Sequence, residues 1–326
     1  MVIAGALALP AVALADAGDA GLWPVDPSSP SAHGINDIYW FIMGFAVAIF
    51  LIVTIPLIVF ALRYRSRSRN RENEGPQVHG STRLELAWTA APVLILVLIA
   101  SFTFYKLGVI DDPAGAQATP GQIEVQGRQF YWQYVYPNGA ITVNELRLPV
   151  GRVASLRITA PEHDVIHSFW VPQLNGKRDA IPGHPNTLKL KPSDVGTYPV
   201  RCAELCGLQH AKMDGTVKVV PAAEFDRWAA ALSAAQKTPA GRQALGKAIF
   251  EGACATCHGL HGEGFIGPAL AGNSLVGQAD TVERVVHEGV RSMPAVGEGW
   301  SDNELKAVEE YLAKVVAKQG GGSSGG

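Results

Sequence analysis

Cysteine is scarce in this chain. There are four in 326 residues, and they fall in two pairs, Cys202 with Cys206 and Cys254 with Cys257, which leaves none for a structural disulfide framework. Charge is scarce as well. Only 17% of residues are charged against 48% hydrophobic, more apolar surface than one soluble core requires, so part of the chain belongs in lipid. The formal net charge of -2 gives no reason to expect a nucleic-acid partner. Methionine is equally rare, with four in the chain, which gives weight to any that stand beside other metal-binding side chains.

Two long runs lack charge altogether. Residues 38–62 and 86–105 meet the roughly 20 residues that a helix needs to cross the hydrocarbon core. Trp88 and Tyr105 stand near the ends of the second run, where aromatic rings favour the interface. Pro56 and Pro92 bend such helices without preventing insertion. The competing reading is a pair of buried helices in a soluble protein. Between the runs, Arg63, Arg65, Arg67, Arg69 and Arg71 make a short basic loop of the kind retained in the cytoplasm. Its position between two spans makes topology a better explanation than nucleic-acid binding. Both termini, and everything after residue 107, are then expected on the periplasmic or extracellular side of a bacterial cytoplasmic membrane. Residues 1–15 form a candidate signal peptide ending in Ala13-Leu14-Ala15, although no basic segment precedes the apolar stretch. Residues 16–37 follow as an extracytoplasmic segment, and 319–326 form a flexible tail.

The stretch Cys202–Met213, CAELCGLQHAKM, places two thiols, an imidazole and a thioether close together, with His167 upstream in HSFW. Soft sulfur donors beside imidazole select copper, and a mononuclear electron-transfer site needs only one cysteine. A second cysteine implies a second ion, with two thiolates bridging two coppers that share one electron. A Cys202–Cys206 disulfide is the alternative the compartment would permit, but it leaves His167, His210 and Met213 without a purpose. Around this stretch, residues 122–220 alternate short Val-, Ile-, Tyr- and Thr-rich segments with Gly and Pro turns, the pattern of a β-sandwich. Phe225, Trp228 and Leu232 then recur at helical spacing, and Lys237–Gly241 reads as a linker.

Cys254-Ala255-Thr256-Cys257-His258 is the attachment motif of a c-type haem, with His258 as iron ligand. Met293, followed by Pro294, stands at a suitable distance to supply the second axial ligand. A thioredoxin-like pair would need a βαβ setting that is missing here, and a zinc site would need a second ligand pair. His261 and His287 are expected to be exposed and incidental.

The Cys202–Met213 segment resembles the CuA domain of cytochrome c oxidase subunit II. That resemblance implies a cupredoxin-like sandwich in which His167 sits on one loop and the other ligands lie between the last two strands. The implied copper ligands are His167, Cys202, Cys206, His210, Met213 and the Glu204 carbonyl, and the Glu204 carboxylate helps hold a magnesium ion shared with subunit I. Glu85, in LELAWT, is similar to a glutamate at the mouth of a proton-uptake pathway; the plain alternative is an interfacial carboxylate. The segment GRQFYWQYVYP resembles the aromatic stretch above CuA where electrons enter, with Phe130 in place of the usual tryptophan, followed by Tyr131, Trp132 and Tyr134; core packing is the alternative for all four. Residues 177–186 also match, His184 being expected to pack or hydrogen-bond rather than ligate.

The whole order resembles subunit II of a caa-type oxidase. It implies a multidomain chain with a two-helix transmembrane hairpin (38–107), an all-β cupredoxin-like CuA domain (108–220), a helix and linker (221–240) and an all-α cytochrome c domain (241–318). It further implies electron flow from cytochrome c or another respiratory donor complex through haem c and dinuclear copper to subunit I, coupled to proton translocation. The chain has too few histidines in membrane helices for the oxygen-reducing site, which belongs to subunit I. The small subunit of a CuA-containing nitric oxide reductase, and a membrane-tethered copper-delivery or thiol-disulfide protein, are the rival readings. A quinol oxidase subunit would lack the copper ligands.

Overall fold

A computed structural model describes residues 24–65, 77, 79–113 and 118–313 of the chain. The candidate signal peptide, Arg67, Arg69 and Arg71 of the basic loop, the last residues of the expected cytochrome c domain and the tail lie outside these.

Helix α1 (Pro30–Arg63) begins where Ser29 Oγ accepts the Ala32 N–H at 3.0 Å and Pro30 occupies the first turn, a proline position that costs no intrahelical bond. Helix α2 (Thr82–Asp111) returns alongside it. Both helices extend beyond the uncharged runs, because flanking polar residues continue the backbone ladder past the apolar stretch. Phe41 stacks on Phe102 with centroids 4.4 Å apart, Lys106 pairs with Asp37 at 2.7 Å, and Gly34 lets Ile110 approach closely. Along their length the two helices present bare apolar side chains such as Phe50, Ile52, Leu94 and Phe104, a surface suited to lipid rather than water. At the far end of α2, Asp111 pairs with Arg178 at 2.5 Å and Asp112 with Lys189 at 3.0 Å, fastening the hairpin to the domain that follows.

That domain is a sandwich of two five-stranded sheets. One has the order β3-β2-β1-β5-β8 and the other β4-β10-β9-β6-β7. The strands are β1 (Ala118–Arg128), β2 (Tyr131–Val135), β3 (Ile141–Val143), β4 (Glu145–Pro149), β5 (Val153–Thr159), β6 (His167–Trp170), β7 (Arg178–Ala180), β8 (Asn186–Leu190), β9 (Gly196–Cys202) and β10 (Asp214–Val220). Inward residues of both sheets, among them Ile123, Trp132, Tyr134, Leu146, Leu156, Ile158 and Phe169, are wholly or almost wholly buried, as sandwich alternation requires.

Helix α3 (Ala222–Gln236) covers one end: Trp228 meets Tyr136 edge-on at 5.2 Å, and the Gln236 amide bonds both backbone groups of Ile141. Of the expected linker, Lys237 and Thr238 lie between helices. Thr238 Oγ1 caps helix α4 (Pro239–Ile249) by accepting the Gly241 N–H, so proline starts a helix here rather than breaking one. The helix passes through one π-helical turn, Phe250–Cys254, into the short α5 (Ala255–His258). Helices α6 (Ala279–Glu288) and α7 (Asp302–Tyr311) complete the all-helical unit, α7 opening with a Ser301/Glu304 capping box. Gly246 is required where α4 crosses α7, since a Cβ there would lie 2.0 Å from the Ala307 carbonyl oxygen. Phe250, Trp300, Val308 and Tyr311 form the core of this unit, and Tyr131 and Ile141 of the sandwich join it.

Candidate metal centre and haem cavity

Cys202 ends strand β9, and the turn that follows, closed by the 3-10 helix His210–Lys212, returns the chain to β10. The pairing of Phe169 with Cys202 in adjacent strands brings β6 to the same place. His167 therefore stands at the start of a strand, not on a loop, and its ring is held by strand register. Cys202 Sγ lies 3.7 Å from Cys206 Sγ, 4.0 Å from His167 Nδ1 and 3.2 Å from the Glu204 carbonyl. Cys206 Sγ lies 3.7 Å from both His210 Nδ1 and Met213 Sδ. The six expected donors thus form one cluster. The sulfur separation is far beyond the ~2.05 Å of a disulfide, and all four cysteines of the chain are free thiols.

The cluster lies deep. His167 and Met213 have no exposed surface and Cys206 has 1%. The hydrogen bond from the Cys206 thiol draws Cys202 toward the thiolate, and the same pairing with Cys202 holds the Cys206 proton on. Burial pulls His167 toward the neutral form, but bonding to Asp164 and Cys202 outweighs it and leaves its pKa raised. Asp164 Oδ1 lies 3.2 Å from His167 Nε2, which leaves Nδ1 facing the sulfurs. This is the outer-shell arrangement that orients a ligating imidazole. Gly127, paired with Trp132 across β1 and β2, leaves room for the His167 ring. Two thiols, two imidazoles, a thioether and a carbonyl fit copper and no hard cation. The Glu204 carboxylate is half exposed, with Lys177 Nζ 3.9 Å away.

In the helical unit, Cys254, Cys257, His258 and Met293 line one cavity of about 440 Å³, within the usual range for cofactor sites. His258 Nδ1 lies 2.7 Å from the Pro268 carbonyl, which frees Nε2 for a metal, and Gly267 backs the ring so closely that a Cβ would lie 2.6 Å from it. Burial pushes the Cys254 thiol up to about 12 and raises that of Cys257. His261 is exposed, whereas His287, expected to be exposed, is partly buried with Nε2 enclosed.

The aromatic segment divides between the two sites. Phe130, with Gln129, walls the haem cavity, and Trp132 packs inside the sandwich 5.3 Å from Phe169. Tyr131 is covered by the helical unit, donating to the Val296 carbonyl at 3.2 Å and accepting from Trp300 Nε1 at 2.8 Å. Neither Tyr131 nor Trp132 reaches the surface, so neither can be touched by an outside protein. Sequence reasoning missed Gln129, Asp164 and Gly127, which act on the site through other residues and stand outside its motifs. Glu85 lies in the first turn of α2, where its carboxylate accepts the Ser81 N–H at 3.3 Å, and the His184 side chain is exposed.

Three family models match in chain order: "Cytochrome C oxidase subunit II, transmembrane domain" over residues 18–105, "Cytochrome C oxidase subunit II, periplasmic domain" over 140–220, and "Cytochrome C oxidase, cbb3-type, subunit III" over 241–312. Cytochrome c oxidase subunit 2 of Alkalihalophilus pseudofirmus is 30% identical over 320 residues, covering 90% of this chain and 91% of that one. The Synechocystis protein of the same name is 32% identical, covering 65% of this chain and 76% of its own. A crystal structure of the periplasmic domain of subunit II from Bradyrhizobium japonicum is 31% identical and covers 37% of this chain and 96% of that one, with a TM-score of 0.34. With the clustered donors, the haem-attachment motif and a relative matched along nearly its whole length, the chain belongs to the cytochrome c oxidase subunit II family, as an electron-transfer subunit with two membrane helices, a CuA-type domain and a C-terminal cytochrome c domain.

Proposed function

We propose that electrons from a respiratory donor, either cytochrome c or a donor complex, enter at the haem-binding unit, pass to the copper cluster and leave for subunit I. Family membership sets aside the copper-delivery and nitric oxide reductase readings. Residues 241–318 make up the receiving domain and 108–220 the copper domain. His167, Cys202, Cys206, His210, Met213 and the Glu204 carbonyl would hold two copper ions; Cys254 and Cys257 would hold the porphyrin, with His258 and Met293 as axial ligands. When bound, these groups supply one-electron redox chemistry. The protein's part is to hold the donor atoms in a dry, rigid setting so that little rearranges as charge moves. A methionine axial ligand suits an electron carrier, since thioether sulfur raises the haem potential.

The observation that carries this reading is the position of Phe130, which belongs to the copper domain yet walls the haem cavity beside Cys254 and His258. The aromatic position where electrons enter this family therefore serves the chain's own haem. The two redox domains face away from the cytosol in this reading, supported by Arg63 and Arg65 at the opposite end of the hairpin. Glu85 lies at that same end, which supports a role in proton uptake, and the Glu204 carboxylate contributes to magnesium at the subunit I boundary. Metal-replete protein should show a covalent haem stain after denaturing electrophoresis and the near-infrared absorption of a shared-valence copper pair. A single isolated cupric signal would overturn the reading.

A further inference from the structure

We propose that Gln129 is the positioning residue that couples the copper cluster to the haem cavity, gripping the copper loop on one side and walling the cavity on the other. This rests on the ligand and cavity assignments above. The Gln129 side chain donates from Nε2 to the Cys206 carbonyl at 2.8 Å. Its backbone N–H donates to Asp164 Oδ2 at 3.1 Å, and the other carboxylate oxygen of Asp164 lies 3.2 Å from His167 Nε2. One residue thus touches the supports of two copper ligands contributed by separate segments. The same residue lines the cavity that holds Cys254, Cys257 and His258.

The surrounding chain is built to keep it there. Gly207, at φ +127°, leaves no side chain between the copper loop and Gln129; a Cβ would lie 3.1 Å from Nε2 and 3.2 Å from the Phe130 ring. On either side, Arg128 Nη1 donates to the Glu298 carbonyl at 2.5 Å and Tyr131 is bonded to Val296 and Trp300. Gln129 is held between two anchors in the haem-binding unit while its amide grips the copper loop. An amide fixed in this way keeps Cys206 from shifting when the charge of the cluster changes, and ties the copper loop by a hydrogen bond to a residue in the wall of the haem cavity. One electron crosses it: the haem side is oxidised by one unit, the copper side is reduced by one, no covalent bond forms or breaks and no proton moves.

The test uses the full chain in its native complex. Gln129→Met keeps the length and bulk but removes the N–H donor, and Gln129→Glu faces the Cys206 carbonyl with a second acceptor. Two rates are read: loss of copper to a chelator, and equilibration of one electron between haem and copper after rapid photoreduction of the haem. Both variants should lose copper about tenfold faster and equilibrate about tenfold more slowly, the size typical of an outer-shell partner, with the covalent haem stain unchanged. An unchanged value for either rate in both Gln129 variants overturns the proposal. Absence of a bimetallic spectrum or of any transfer in the parent would instead overturn the site assignment beneath it.

Discussion

Replacing Gly127 by alanine tests whether His167 is held by packing as well as by bonding. A Cβ at position 127 would lie 2.8 Å from His167 Cβ, 2.9 Å from Cγ and 3.1 Å from Cδ2, where ordinary contact begins at 3.4 Å. The imidazole has little freedom to yield: it is fully buried, with the Trp132 ring 6.2 Å away between centroids and Asp164 on Nε2. Gly127 in turn is fixed by its pairing with Trp132 in β2. Overpacking of this kind costs about 1–3 kcal/mol. Taken up as displacement of the ring from Cys202, that is about 5- to 150-fold in copper affinity. Taken up as strain in the metal-free protein, it lowers the melting temperature by about 2–4 °C per kcal/mol. Copper titration followed by the near-infrared band, together with calorimetry of the metal-free protein, separates the two routes. Parental copper affinity and parental melting temperature in the same variant would refute the packing argument.

Other consequences are as specific. Gly267→Ala should impair haem binding, because a Cβ would lie 2.6 Å from the His258 ring; the haem absorption spectrum of the purified variant checks this. Tyr131→Phe leaves the buried Trp300 Nε1–H without its acceptor and should destabilise the contact between the domains by about 1–3 kcal/mol, read as faster limited proteolysis between residues 236 and 242. His163 has a raised pKa through its hydrogen bond to Glu298, so the stabilisation from that pair is fully present below the pKa of an unpaired histidine. It is lost as pH rises through the higher, paired value. Hydrogen exchange around residues 161–165 should quicken over that interval, and Glu298→Gln should abolish the pH dependence. Glu85→Ala should slow oxygen turnover and proton uptake while the copper centre stays reducible; unchanged turnover and uptake would remove Glu85 from the proton path.

Local chemistry makes much of this protein legible in its sequence. Uncharged runs of sufficient length specify membrane helices wherever they occur, and the CAELCGLQHAKM and CATCH stretches carry their donor atoms within a few residues. The alternation of residues 122–220 likewise announces a sandwich, because one face of each strand must be buried. Of the expected linker, Pro239–Gly241 belong to helix α4, because a proline behind a capping threonine starts a helix.

Tertiary structure alone decided the rest, because it concerns residues far apart in the chain. Strand register brings His167 to Cys202. Packing of the helical unit against β2 and β3 buries Tyr131 beneath Trp300, 169 positions away. Aromatic composition could not say that Tyr131 meets the helical unit while Trp132 fills the sandwich core, since neighbouring residues of a strand point opposite ways and only the partner on each side gives them different work. Gln129 was invisible for the same reason: an amide has no signature of its own until two distant segments place a carbonyl and a carboxylate within its reach.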